Sequence, residues 1–229
     1  MSNSDSLGQF SKSTLSGRFS ALQTVSLCPY AKSAKVAYAP EWDCNLSVKN
    51  NVLRLVPHLA RFTDSAQEEG LDMFVVEVQD KRYIKSLSAF ASLLRRVLFV
   101  LRESDEFSSA PLLEGVLDKH WNFQFRGTKL FVPTFAPLYR ADHPRFSHEE
   151  SSAFLVFQPD HCFTRRGITS TSSSRSTITT VVKDLYEKAG YSYDVVLVSK
   201  TPKAARYIHP LLPGEPWVRW WDSVYSGLD

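Results

Sequence analysis

A chain of 229 residues, 43% hydrophobic and 22% charged, carries enough apolar side chain for one sizeable core. Its 27 basic against 24 acidic residues leave a net charge of +3, too near balance to mark a nucleic-acid surface, and no apolar run is long enough to span a bilayer. Three cysteines form no disulfide framework and the N-terminus lacks an apolar signal core, so the expectation is one domain in the reducing cytoplasm.

Residues 1–23 are Ser-rich, with Leu7, Phe10, Leu15 and Phe19 scattered through them, and read as a flexible tail. A single globular domain is expected over 24–222, with a short tail over 223–229. Pro29 suits the first position of a helix, which puts Cys28 at its cap as either a thiolate or a small buried apolar side chain. Ala39–Cys44 is a loop. Over Ser47–Glu68, Val48, Leu55, Leu59 and Phe62 share a helical face, but Pro57 kinks or ends the helix, and His58 lies beside that break. Gly70 closes the segment and Leu71–Val78 reads as a strand. Ile84–Glu103 is the clearest helix: Leu87, Phe90, Ala91, Leu94, Val97, Leu98 and Leu101 recur at three- and four-residue steps.

Trp121, Phe123 and Phe125 alternate with Asn122, Gln124 and Arg126, the period of two of a strand with one buried face. Gly127-Thr128 supplies a turn, and Lys129–Val132 resumes the hairpin until Pro133 interrupts it. Arg140–His148 then concentrates cations and imidazoles, which suits an anion-recognition loop as well as a solvated surface loop. Ala153–Phe157 reads as a buried third strand that stops at Gln158-Pro159-Asp160-His161-Cys162-Phe163, so His161 and Cys162 sit where a core strand leaves the sheet. After the polar run Thr169–Ser176, Ile178, Val181, Val182, Leu185 and Ala189 mark a helix stopped by Gly190. Asp194–Ser199 reads as a strand and Pro202–Ile208 as a short helix, while Trp217, Trp220 and Trp221 close a core in preference to stacking on bases. The fold class expected is α/β of the α+β type: a mainly antiparallel sheet on Trp121–Val132 and Ala153–Phe157, with the helices Ile84–Glu103 and Ser176–Ala189 packed on one face.

No phosphate-cradling glycine loop, paired-Cys zinc spacing, His-Glu-x-x-His or Cys-x-x-Cys-His is present. Residue chemistry alone therefore stops at an α/β domain with a His/Cys/Arg site. A non-covalent haem needs only one axial His or Cys and an apolar pocket, which no local pattern reveals.

The order of four stretches adds to this. Cys28-Pro29-Tyr30-Ala31-Lys32-Ser33-Ala34, then Trp121-Asn122-Phe123-Gln124-Phe125-Arg126-Gly127, then Leu130-Phe131-Val132, then Phe157-Gln158-Pro159 with Phe163 together resemble the YqcI/YcgG family over roughly Leu27 to Trp221. Some members of that family are haem-dependent N-oxygenases, arginine N-hydroxylases among them. The resemblance implies haem b with its iron, dioxygen, a redox partner, and a small amine or amino-acid substrate oxidised at nitrogen in specialised metabolism. Two departures stand out. The family's pattern runs the second hairpin strand into a His-Pro, where this chain has Ala136-Pro137. It also places a histidine directly after the third strand's Asn-Pro, where this chain has Asp160 and then His161. Either the ligand set is altered or the chemistry differs; with an altered set, His161 is the first candidate for the metal, His58 the second and Cys28 the third. Trp121, Phe157 and Phe163 are the candidates to line the cofactor, and Arg140 or Arg145 to fork a substrate carboxylate. The alternative from another class is a cofactor-free small-ligand binding or protein-interaction domain on the same fold. Neither nucleic acid nor membrane is expected as a partner.

Overall fold

The alternation read over Trp121–Arg126 and the buried run at Ala153–Phe157 do meet in one sheet. The computed structural model describes residues 15–165, 167, 172–191 and 193–225, without the side chains of 15, 16 and 172–179. In chain order the elements are α1 (Leu15–Val25), α2 (Pro29–Lys32), β1 (Val36–Tyr38), α3 (Val48–Glu69), β2 (Met73–Val78), α4 (Lys81–Ile84), α5 (Leu87–Glu103), β3 (Phe123–Phe125) and β4 (Thr128–Phe131). They continue with β5 (Thr134–Phe135), β6 (Ala153–Pro159), α6 (Asp160–Arg165), α7 (Ser172–Lys188) and α8 (Val195–Lys200), with 3-10 turns at Lys203–Arg206 and Ser223–Tyr225.

The strands run in the order β1-β2-β6-β4-β3, and β5 also pairs with β6. Among these strands β1 and β2 run parallel, and the other pairings are antiparallel. β4 meets β6 at Pro159 and Gln158 and β5 meets it at Leu155 and Phe154, so the two are one strand broken at Val132-Pro133. Pro133 has no N–H for a ladder, but its carbonyl still accepts from Val156 N at 3.1 Å. The hairpin turn is Arg126-Gly127, one residue earlier than its composition suggests: Phe125 pairs with Thr128, and φ is +49° at Arg126 and +75° at Gly127. Two left-handed residues in succession make the tight turn whose twist matches the strands.

The pleat divides the sheet into two faces. Phe74, Val76 and Val78 of β2 and Ala153, Leu155 and Phe157 of β6 face the main core, which α3 and α5 cover with Val52, Leu55, Leu59, Phe62, Phe90, Leu94, Val97 and Leu98. Met73, Val75, Phe154 and Val156 face the other way and are covered by Phe19 and Leu22 of α1. The N-terminal stretch expected to be a tail is therefore, from Leu15, a docked helix; residues 1–14 of that expectation, and 226–229 at the other end, lie outside the described residues.

α3 runs unbroken through Pro57 from the cap at Ser47, whose hydroxyl accepts from Asn50 N, to the left-handed Gly70. Pro57 lies on the exposed side, and the carbonyl it leaves without a helical donor belongs to Leu53, a residue 45% exposed, where solvent can take the place of the lost bond. The helix read over Ile84–Glu103 is split: Ser86 caps α5 by accepting from Ala89 N at 3.2 Å. β1 gave no signal, and the strand read over Asp194–Ser199 is the helix α8. Asp194 accepts from Leu197 N at 2.9 Å there, and this N-cap overrides the β-propensity of Val195 and Val196. α7 takes a different seat from the one expected beside α5. Tyr186 meets Tyr193 at 5.4 Å and Tyr191 at 5.9 Å and is hydrogen-bonded to the Ser26 side chain, which joins α7 to the α1–α2 corner. Trp220 and Trp221 are buried as expected; Trp220 stacks on Tyr207 at 5.9 Å and donates to Ala204 O.

Candidate functional site

β6 carries the chain out of the core into α6, and the turn at Asp160 brings His161 to an open cleft of about 470 Å³. Its other walls are Thr63, Asp64, Gln67 and Glu68 of α3, Thr128 and Lys129 of β4, and Asp160 itself. Every wall is polar, and much of the charge is already matched. Arg126 forks Asp64 at 3.1 and 3.2 Å, while Asp160 receives Asn122 Nδ2 at 3.2 Å and lies 3.7 Å from Lys203 Nζ. His161 Nε2 lies 3.3 Å from the Leu71 carbonyl, which can only accept, so that nitrogen carries its proton. His58 sits on α3 and is not among the walls of this cleft; burial, followed by the Arg61 charge, lowers its pKa. No group of three His, Cys, Asp or Glu side chains that could hold a metal occurs among the described residues.

The three aromatic candidates have separate surroundings. Phe157 is fully buried in the core between Phe74 at 6.4 Å and Phe123 at 6.3 Å. Trp121 packs on Tyr207 and Trp220, and Phe163 meets the edge of Phe131 at 6.4 Å. They do not share a wall of the His161 cleft, which offers no apolar slot for a macrocycle. The residues read from the sequence as a haem set therefore do not fit the group as they are arranged here.

A second constellation forms where the chain leaves the sheet after Phe135. Ala136 N donates to Arg145 O at 3.0 Å and Ser147 N to Ala136 O at 3.2 Å, which folds the excursion back on itself. Of its two candidate arginines, Arg140 is exposed and pairs with Asp142 at 3.3 Å. Arg145 turns inward. Its guanidinium lies over the Phe135 ring at 5.2 Å, and Nη2 donates to Arg206 O and to His209 Nε2, both at 3.2 Å. A guanidinium only donates, so His209 Nε2 accepts and the ring proton stays on Nδ1. His143 Nδ1 accepts from Arg145 N at 3.0 Å, and the ring bonds onward to the Pro210 carbonyl through the other nitrogen. Tyr139 stacks on His143 at 4.3 Å and 6°, with its hydroxyl donating to His209 O at 2.9 Å.

The electrostatics follow from this enclosure. Burial, then the Arg145 charge, pushes His143 down to about 4 and holds His209 well below its ordinary value, so both rings are neutral near pH 7. Burial raises the phenols of Tyr139, Tyr186 and Tyr193, that of Tyr186 to about 12. Tyr139, Tyr186, Tyr193 and Cys28 are the groups whose charge Arg145 would feel; no carboxylate faces it among the described residues. Beside the two histidines, the remaining space is only about 10 Å³. The arrangement is a partly buried cation beside neutral rings, which suits an acceptor-only anion.

Arg145 and the imidazole-rich loop were visible in the sequence. Tyr139, Tyr186, Tyr193 and His209 carried no signal; 64 residues separate Arg145 from His209, beyond any local pattern.

The model of the YqcI/YcgG family matches residues 28–198, well over half of the chain, and the chain belongs to that family. The match bears out the resemblance read from the four stretches; it covers Arg145, Tyr186 and Tyr193 and ends before His209. No curated protein and no solved structure gives a match. Among the described residues no helix is long and apolar enough to cross a membrane.

Proposed function

We propose that this YqcI/YcgG family member binds a small molecule through its carboxylate at Arg145, as a small-ligand binding domain of that fold. The observation that carries this reading is a partly buried guanidinium over the Phe135 ring, bonded to Arg206 O and His209 Nε2, that no described carboxylate pairs with. Taking a charge out of water costs on the order of several kcal/mol unless a counter-charge or hydrogen bonds offset it. Nη2 is committed to two acceptors, so Nε and Nη1 are the donors left for a ligand among the described contacts. Carboxylate oxygens accept and do not donate, matching donors of this kind. Calorimetric titration of acetate and benzoate into wild type, Arg145→Lys and Arg145→Gln is the test. Affinity should fall about tenfold in the lysine variant, which keeps the charge without the fork, and about a hundredfold in the glutamine variant. Equal affinities in all three proteins would overturn the reading.

A second reading is supported by the family membership: a haem-dependent oxygenase acting on nitrogen of an amino acid or related amine, with the substrate carboxylate at Arg145. Haem would supply the oxygen chemistry and the chain would orient the substrate. Haemin titration decides it. A stoichiometric Soret band supports an oxygenase, and absence of any affinity for haemin removes it.

A further inference from the structure

We infer that the open cleft beside His161 is a second binding site, for a neutral molecule with several hydroxyl groups, a sugar or other polyol. It does not depend on carboxylate binding at Arg145. The cleft's volume of about 470 Å³ falls within the range of small-molecule sites, roughly 300–1,000 Å³. Its walls come from one side of α3, the start of β4 and the first residues of α6, so regular elements fix their spacing. What those walls leave uncommitted sets the chemistry of the ligand. Gln67, Glu68, Thr128 and Lys129 make no side-chain hydrogen bond or ion pair among the described residues. Asp160 takes Asn122 Nδ2 at 3.2 Å and Lys203 Nζ at 3.7 Å on Oδ1, which leaves Oδ2. With the His161 proton on Nε2, Nδ1 of the neutral ring accepts. Thr63 donates to Ala60 O at 2.8 Å and can still accept.

A further acceptor stands behind Asp160. Asn122 is buried, its Nδ2 is held by Asp160, and its Oδ1 has no hydrogen-bond partner. Buried polar atoms are nearly always paired, so this one is matched by a donor brought in beside Asp160. Acceptors therefore outnumber the available donors, which are the Lys129 ammonium, the Gln67 amide and the Thr128 hydroxyl. Charge, by contrast, balances. The carboxylates Asp64, Glu68 and Asp160 stand with the cations Arg126, Lys129 and Lys203. An anion would meet the three carboxylates, a diamine would meet the three cations, and no net field holds either. Polar walls exclude an apolar ligand. A hydroxyl donates one hydrogen bond and still accepts, so a polyol can satisfy Glu68, Asp160 and His161 while Lys129 and Gln67 donate to its oxygens.

Titration with glucose, myo-inositol and sorbitol, followed by NMR through the backbone amides, tests the site. At least one should bind saturably, with a Kd on the order of 1 mM, and should shift the amides of Glu68, Lys129 and His161. Glu68→Ala and Asp160→Ala each remove a charged acceptor and should weaken that binding about tenfold, and Lys129→Met should weaken it about threefold. Benzoate affinity should be the same in all three variants, because none of these residues is among the contacts of Arg145. Saturation by none of the three polyols, or binding that all three substitutions leave unchanged, would overturn the inference. Tighter binding of spermidine than of any polyol would overturn it as well. Should Asp160→Ala disturb α6 by circular dichroism, Glu68→Ala on α3 and Lys129→Met on β4 decide.

Discussion

The two regions that could hold a ligand differ in nearly every physical respect. The His161 cleft is roomy and wet, and its charges are shared out among Arg126–Asp64, Lys203–Asp160 and Asn122–Asp160. In the Arg145 cluster the space beside His143 and His209 is only about 10 Å³, both rings are neutral near pH 7, and no described carboxylate pairs with Arg145. Volume measures where water can go. An enclosed charge without a counter-charge carries a free-energy cost that the fold must recover elsewhere, and binding an anion is the direct way to recover it. On the proposed reading, an unpaired charge marks the ligand's place better than room does.

The largest effect expected from this contrast is in acid. His143 has a folded pKa of about 4 against 6.5 for a free imidazole, so as pH falls the unfolded chain takes up the proton first. The stability held in the neutral ring is complete above pH 6.5 and is lost as pH falls from 6.5 to about 4. Two and a half units correspond to roughly 3 kcal/mol, and His209 loses stability in the same direction. Urea titrations at several pH values should show this slope reduced in His143→Phe, which keeps the stack on Tyr139. Identical slopes would mean that the histidine cluster is solvated.

Next in size is the side chain that stands between the two regions. Tyr207 is fully buried; its hydroxyl donates to Leu130 O at 3.0 Å and accepts from Phe123 N at 2.9 Å, while its carbonyl receives Thr134 N and Oγ1. Tyr207→Phe leaves a buried Phe123 N–H unpaired and should cost roughly 2 kcal/mol. Hydrogen exchange should quicken at Phe123, on the hairpin side, and not at Thr134, on the Arg145 side. Equal quickening at both would show the two regions to be one cooperative unit.

What the sequence revealed of this arrangement follows the range of each interaction. The hairpin, α5 and the tryptophan closure are written in periods of two or three to four and in local clusters, and they were legible. β1 is three residues long and exists because β2 lies beside it, so no local pattern marks it. α8 was misread because Val195, Val196 and Val198 favour a strand, whereas one hydrogen bond to Asp194 starts a helix. Arg145 was legible as a cation in an imidazole-rich loop. Its inward turn depends on His209 and Arg206, beyond any local signal. His161 was favoured for its place at a strand end, and that placement is correct; the polarity of the walls α3 brings to it could not be read.

A smaller effect, of opposite sign in the two regions, separates their arginines. Arg126→Met breaks the partly exposed pair with Asp64 and should lower stability by at most about 1 kcal/mol. Arg145→Met removes a partly buried charge that no described carboxylate pairs with, and should leave stability unchanged or raise it by about 1 kcal/mol. Urea midpoints of the two variants check this. If both fall alike, Arg145 is a structural anchor and the contrast between the regions is lost.

The smallest effect belongs to His161, and its smallness is informative. The side chain is partly exposed, makes one long hydrogen bond to Leu71 O at 3.3 Å, and borders a cleft from which water can replace that bond. No cavity in the core and no unpaired charge results from its removal, so His161→Ala should change stability by less than about 0.5 kcal/mol. Benzoate affinity should be that of the wild type, because the Arg145 cluster contains no contact with His161. In haemin-treated protein, any Soret band the wild type shows should survive the substitution, since polar walls such as Asp64, Gln67 and Glu68 would leave a macrocycle's apolar face against charge and water. A band that disappears in His161→Ala while the fold is intact would reverse the comparison. The open cleft would then be the cofactor's site, and the enclosed cation would be no more than its neighbour.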